Sequence, residues 1–217
     1  MSKTIAVIGG TGKLGSALAR RWAKAGLTVI IGSRHAEGAQ EAAAKLGFGL
    51  TGLSNPDAAA AADIVVVTVP FAAQEATLAD IAGHVKGKIV VDTTVPLMPP
   101  KVMTVQLPAE GSAAQRAKRL LGDGVTLVSS FHSVAAHKLI TDDEINCDAL
   151  VFSDDKTARA EIAGLAEKAG LRGIQAGALA NSAAAEALTS VLIFINKNYQ
   201  VDGAGIRITG KLVDPAT

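Results

Sequence analysis

Gly10-Thr11-Gly12-Lys13-Leu14-Gly15 sets three glycines at the spacing G-x-G-x-x-G directly behind the apolar run Ile5-Ala6-Val7-Ile8. A turn of this kind opens a helix with its first N–H groups facing outward, and a diphosphate can reach them because no side chain intervenes. Gly10 is expected to let the turn close, Gly12 to clear a path for the pyrophosphate, and Gly15 to let the helix pack close on its strand. Thr11, Lys13 and Leu14 complete this candidate contact. A second apolar run, Thr28-Val29-Ile30-Ile31, ends in Gly32-Ser33-Arg34, where a ribose diol would call for an acid. A hydroxyl and a guanidinium there suit a 2′-phosphate, which a charge-assisted bond holds. The simpler alternative is a solvated arginine at a helix start.

His132, in Ser129-Ser130-Phe131-His132-Ser133, follows another buried strand. Its ring could orient a carbonyl or exchange a proton near pH 7, or it could be a hydrogen-bonded structural residue. Val69-Pro70 and Val95-Pro96 end two strands and would wall the crevice, since proline fixes its backbone. The lone Cys147 gives no disulfide framework and no metal-ligand cluster, and reads as a small apolar residue. There is no G-x-S-x-G elbow, no phosphate loop ending in Gly-Lys-Ser or Gly-Lys-Thr, and no metal-ligand spacing of His and acids. The single tyrosine, Tyr199, lacks the lysine four residues on that a short-chain dehydrogenase would show, having Gly203 there.

Strands and helices must alternate to bring these residues together. Leu14, Ala17, Leu18, Arg21, Trp22 and Ala25 recur at helical spacing and Gly26 stops the helix, giving a βαβ unit with its flanking strands. A helix follows over 35–46, a short edge strand over 51–53, and a short alanine helix before Asp63. Ile64 to Val69, Lys88 to Val95 and Val125 to Ser130 are near-continuous apolar runs, the mark of parallel strands buried on both faces. Pro99 to Gly111 reads as a loop and Ser112 to Leu121 as a basic, surface-facing helix. Ala149 to Phe152 and Gly173 to Ala176 flank a helix and predict a further βαβ addition to the sheet.

The fold expected is therefore α/β, a Rossmann-type doubly wound, mostly parallel sheet with added strands and a small C-terminal helical part. Residues 1–180 would form the nucleotide-binding domain and 181–217 a helical segment for the acceptor site and a dimer contact. Asn181 or Ser182 caps a helix to about Asn196 that is apolar on most of its surface. It must be covered, within its own subunit or by a second copy, and a homodimer is the reading taken.

With 21 basic and 20 acidic residues and no basic run, the chain offers no footing for nucleic acid or a membrane surface. The first strand begins almost at once, so no signal peptide is expected, and the longest apolar stretch, Val191 to Ile195, is far short of the roughly 20 residues that span a bilayer. A cytoplasmic protein is expected.

The combination of residues 5–15, Gly32-Ser33-Arg34, the Val69-Pro70-Phe71 turn, Val128 to Ser133, and Ala176-Gly177-Ala178-Leu179-Ala180-Asn181-Ser182 resembles the NADPH-dependent coenzyme F420 reductases. The likeness runs nearly full length, to Gly205-Ile206-Arg207. It implies hydride transfer between NADPH and the deazaflavin of F420, with NADP and F420 as the two coenzymes. By the same resemblance, Thr11, Ser33 and Arg34 would contact the 2′-phosphate, and His132, Ser133, Val134, Leu179 and Ser182 the deazaflavin. Phe71-Ala72 stands where the family commonly has Trp-Glu, and Glu37-Gly38 where it has a lysine. A reductase of another flat heterocycle, a flavin or a pterin, and a non-catalytic NADP sensor are the alternatives.

Overall fold

The computed structural model describes residues 3–213. Six strands, β1 (Thr4–Ile8), β2 (Thr28–Ser33), β3 (Thr51–Ser54), β4 (Ile64–Val67), β5 (Ile89–Asp92) and β6 (Thr126–Ser129), form one sheet in the order β3-β2-β1-β4-β5-β6. Every pairing is parallel. That is the doubly wound arrangement in which the strand order reverses between β1 and β4, where ligands bind outside the strand ends.

Alternation along the strands builds two cores. Ile5, Val7, Val29, Ile31, Val66, Val91 and Val128 face helices α1 (Lys13–Lys24), α2 (Ala36–Leu46) and α7 (Lys156–Lys168). Ala6, Ile8, Ile30, Val65, Val67, Val90 and Leu127 face α3 (Asn55–Ala61), α4 (Phe71–Ile81) and α5 (Ala113–Leu121). Small side chains permit this close packing: a Cβ on Gly173 would lie 2.7 Å from the Ala163 carbonyl carbon of α7. Within the first of these cores Trp22 ties α1 to α7, its Nε1–H donating to the Leu165 carbonyl at 2.9 Å.

Three features depart from the sequence reading. Helix α4 was not foreseen, because its inward residues are Gln74, Leu78 and Ile81 and a buried glutamine breaks the apolar stripe. The strands β7 (Asp148–Val151) and β8 (Arg172–Gln175) do flank α7, but they form a separate two-stranded parallel sheet. An antiparallel bridge between Ser129 and Phe152 joins it to β6, and the Ser130 and Ser153 hydroxyls add bonds to the Leu150 and Leu127 carbonyls, at 2.9 and 2.7 Å. The chain swings out of the sheet plane at Phe131, a non-glycine residue at φ 65°, packed edge-on against Trp22. Phe131 is therefore core and not a crevice residue.

Helix α6 (Ala136–Leu139) is a single turn, and α8 (Ser182–Tyr199) is the longest helix described. The helical stretch Leu179–Tyr199, 21 residues with mean hydropathy 1.3, meets the length and composition of a membrane span, contrary to the shorter run expected from sequence. Its Ser182, Glu186 and Ser190 are buried against the rest of the protein. Beyond α8 the chain is an extended strap. The Ile206 carbonyl accepts from the Asp148 N–H at 2.9 Å, and the Ile208 N–H donates to the Asp148 carboxylate at 2.6 Å. Arg172 grips that carboxylate with two bonds, of 2.8 and 2.7 Å.

Candidate active site

Successive turns are stitched together along the carboxyl edge of the sheet. Thr68 donates through N–H and hydroxyl to the Ile8 carbonyl, both at 2.9 Å. Thr93 does the same to Val67, at 3.1 and 3.0 Å, and the Ser130 N–H reaches Asp92 at 3.2 Å. One ledge therefore carries the turns after β1, β4, β5 and β6.

At its β1 end lies the glycine turn. Gly9, outside the predicted fingerprint, holds the left-handed backbone, with φ 73°, and a Cβ there would stand 2.6 Å from a Val69 methyl. Gly10 is required by close approach: a Cβ would meet the Val7 carbonyl oxygen at 2.6 Å, and its N–H donates to the Gly32 carbonyl at 3.0 Å. A Cβ on Gly15 would collide with the Thr68 hydroxyl and with Gly10 Cα at 2.8 Å. Gly12 is the N-cap of α1 and supplies no side-chain cap, so the first N–H groups of the helix look outward past exposed Thr11, Gly12 and Lys13. A backbone cradle at a helix N-terminus, closed to a Cβ and bare of a cap, fits a diphosphate.

The Gly10–Gly32 bond brings the end of β2 beside this turn. Ser33 is half-buried and Arg34 exposed, in no ion pair among the described residues. An available guanidinium beside an anion cradle fits the 2′-phosphate of NADP. Val69 is half-buried, Pro70 exposed, Val95 half-buried and Pro96 buried on the same ledge.

The β6 turn lies three strand spacings from β1, about 14 Å. His132 is buried there, sharing a 2.9 Å hydrogen bond between its Nε2 and the Ser129 hydroxyl. Burial pushes its pKa down to about 3, so the ring is neutral at pH 7. A neutral ring tied to Ser129 is compatible with an orienting role and equally with a hydrogen-bonded structural one. Ser133 is buried and its carbonyl accepts from the Cys147 thiol at 3.4 Å; Val134 is half-buried beside it. Burial raises the Cys147 thiol pKa, consistent with an inert apolar side chain.

Leu179 and Ser182, assigned by resemblance to the deazaflavin side, do not present side-chain surface. Leu179 lies 2 % exposed in the core beneath α5, and Ser182, fully buried, turns its hydroxyl toward Glu186. The residues that sequence reasoning missed are polar and internal. Asp92 accepts from the Thr94 hydroxyl at 2.6 Å and from the Gln74 amide at 2.6 Å. Gln74 in turn accepts from Arg116 at 2.7 Å, and that guanidinium stacks 3.8 Å over the Phe71 ring. Burial raises Asp92 to about 6. Glu186 of α8 accepts from the backbone at the start of α5. No group of three or more His, Cys, Asp or Glu side chains suited to a metal occurs among the described residues.

A parallel sheet in this order, with a glycine cradle at its switch point and an arginine at the end of β2, defines a dinucleotide-binding protein of the Rossmann class. Residues 4–96 match the family model described as NADP oxidoreductase coenzyme F420-dependent. The F420-dependent NADP reductase of Methanothermobacter thermautotrophicus is 45% identical over 223 residues, covering 96% of this chain and 96% of that protein. Its counterpart from Methanothermobacter marburgensis is 41% identical over 94% of this chain and 97% of its own length. A crystal structure from Arthrobacter sp., described as a candidate F420-dependent NADP reductase, superposes with TM-score 0.80 at 25% identity, covering 97% of this chain and all (100%) of that one. The chain belongs to the F420-dependent NADP reductase family.

Proposed function

We propose that this protein transfers a hydride between NADP(H) and coenzyme F420. The observation that carries this reading is the 45% identity to an F420-dependent NADP reductase along almost the whole of both chains. The ledge agrees with it. Outward N–H groups at Gly12 to Leu14 hold the diphosphate, Gly10 and Gly15 keep the turn tight, and Thr11, Ser33 and Arg34 take the 2′-phosphate. Val69, Pro70, Val95 and Pro96 wall the crevice from β4 to β5, and the His132-Ser133-Val134 turn bounds the acceptor side.

The two coenzymes supply hydride donor and acceptor; the chain supplies placement. A neutral His132 orients without trading protons, as suits a reaction whose main demand is two flat rings held at contact distance. Residues 1–180 carry the nucleotide and 181–217 support the acceptor side.

The same reading makes the protein a cytoplasmic homodimer, because both coenzymes are freely diffusing intracellular molecules and α8 keeps an uncovered apolar face. Phe194 is 50% and Val191 42% exposed, and Phe194 shares a shallow pocket with Met103, Lys197 and Asn198. A second copy laid across this face would cover it.

Mixing the protein with NADPH and oxidised F420 should bleach the deazaflavin absorbance at a rate proportional to protein. No protein-dependent loss at any pH between 5 and 9 would overturn the reading, and turnover of a flavin or pterin in its place would redirect it.

A further inference from the structure

Glu186 belongs neither to the phosphate cradle nor to the His132 turn, yet it is 1% exposed and fully engaged. Its Oε2 accepts from the Ala113 N–H at 2.6 Å and its Oε1 from the Ala114 N–H at 3.1 Å. Ser182, one turn earlier on α8, donates its hydroxyl to Oε1 at 3.1 Å. Ala113 and Ala114 are the first two residues of α5, whose own cap, Ser112, is occupied by the Gln115 N–H at 3.0 Å. The carboxylate thus takes two N–H groups that no residue of α5 satisfies, at the positive end of that helix.

One turn past Glu186, the Thr189 hydroxyl donates to the His132 carbonyl at 3.2 Å. Glu186 and Thr189 lie on one continuous helix, so the height at which α8 seats on α5 fixes where Thr189 meets the turn after β6.

We propose that Glu186 is a positioning residue: by seating α8 on the N-terminus of α5 it sets, through Thr189, the place of the His132-Ser133-Val134 turn against which F420 binds. This rests on the function proposed above. The groups facing Glu186 are Ser182 on its own helix, Ser112 and the two N–H groups of α5, and Asp92 at the end of β5. Asp92 is itself bonded to Gln74 of α4, which Arg116 of α5 holds. Burial and, less strongly, the Asp92 charge push Glu186 up to about 7, so both of its forms are populated near neutrality. The ionised form accepts all three donors. The protonated form must turn an O–H toward Ser182, whose hydroxyl can then donate to Ser112, 3.4 Å away.

The test uses the full chain and Glu186→Gln, which keeps the shape but sets an NH2 group against one of the two backbone donors. NADPH affinity, read by fluorescence titration, should stay within twofold of wild type, because the cradle lies at the far end of the ledge. KM for F420 should rise at least fivefold. An inflection near pH 7 in kcat/KM for F420 should be present in the wild type and absent in the variant. A folded variant with F420 kinetics within twofold of wild type would overturn the proposal. If the variant does not fold, the wild type decides alone: KM for F420 should change through pH 7 while NADPH affinity stays flat, and a flat KM refutes the positioning role. Wild-type protein that never reduces F420 refutes the proposed function instead.

Discussion

The Ser129 hydroxyl and His132 Nε2 lie 2.9 Å apart across the turn that ends β6, both side chains withdrawn from solvent. Burial around the ring holds it neutral. With a folded pKa near 3 against 6.5 in the open chain, the unfolded state takes up the proton first. The stability that neutral His132 contributes is therefore complete above pH 6.5 and falls as the pH drops toward 3. The His132 ring signals in NMR should not titrate between pH 5 and 8. His132→Gln should flatten part of the acid limb of a stability-versus-pH curve; an unchanged limb would place the acid sensitivity elsewhere.

The proposed 2′-phosphate site puts the coenzyme preference on Arg34. A hydrogen bond to a charged group is worth about 1.5–3 kcal/mol, roughly ten- to a hundredfold in affinity. Arg34→Asp should raise KM for NADPH by at least that factor and leave NADH less affected or improved. Paired steady-state measurements with both nucleotides check this, and an unchanged ratio removes the 2′-phosphate assignment.

Asp92 tests the buried network beside the crevice. Gln74 directs its NH2 at Asp92 because its carbonyl oxygen already accepts from Arg116, so it cannot turn over. Asp92→Asn would set two donors face to face or surrender a Thr94 contact, at a cost of about 1–3 kcal/mol. For a chain of this size each kcal/mol lowers Tm by about 2–4 °C. Calorimetry at pH 8, where wild-type Asp92 is ionised, should show that loss; an equal or higher Tm would mean the network accepts a neutral partner.

How much of this was legible follows from which residues face inward. The β1 to β2 unit was readable because Leu14, Leu18 and Trp22 sit at helical spacing behind a glycine turn, and the four-residue β4 is apolar throughout. The turn's left-handed glycine was not singled out, since Gly9 stands just ahead of the fingerprint and only the backbone shows that it carries the positive φ. Gln74, Asp92 and Glu186 gave no signal, because a polar residue in an alanine-rich stretch looks solvated until its partner, distant in sequence, is known. Leu179 and Ser182 were recognisable as a motif, but a motif does not say whether a side chain faces a ligand or the interior.

Phe194 offers the test of assembly. Phe194 is 50% exposed, so covering what remains is worth about 1 kcal/mol, and a two-fold interface counts it twice. Phe194→Glu should convert a dimer to monomer in sedimentation velocity at micromolar protein, with the far-ultraviolet circular dichroism unchanged. A wild-type monomer, or a variant that still dimerises, would move the interface away from α8.

The strap beyond α8 carries one more consequence. Residues 204–208 run beneath the turn after β6, where a Cβ on Gly205 would press on the Cys147 sulfur at 2.6 Å and the Ser133 carbonyl at 3.2 Å. In the order of synthesis, α8 and this strap emerge after all six strands of the sheet. The elements that brace the turn after β6 are thus the last of the described chain to be made, well after the residues of the glycine turn at the opposite end of the ledge.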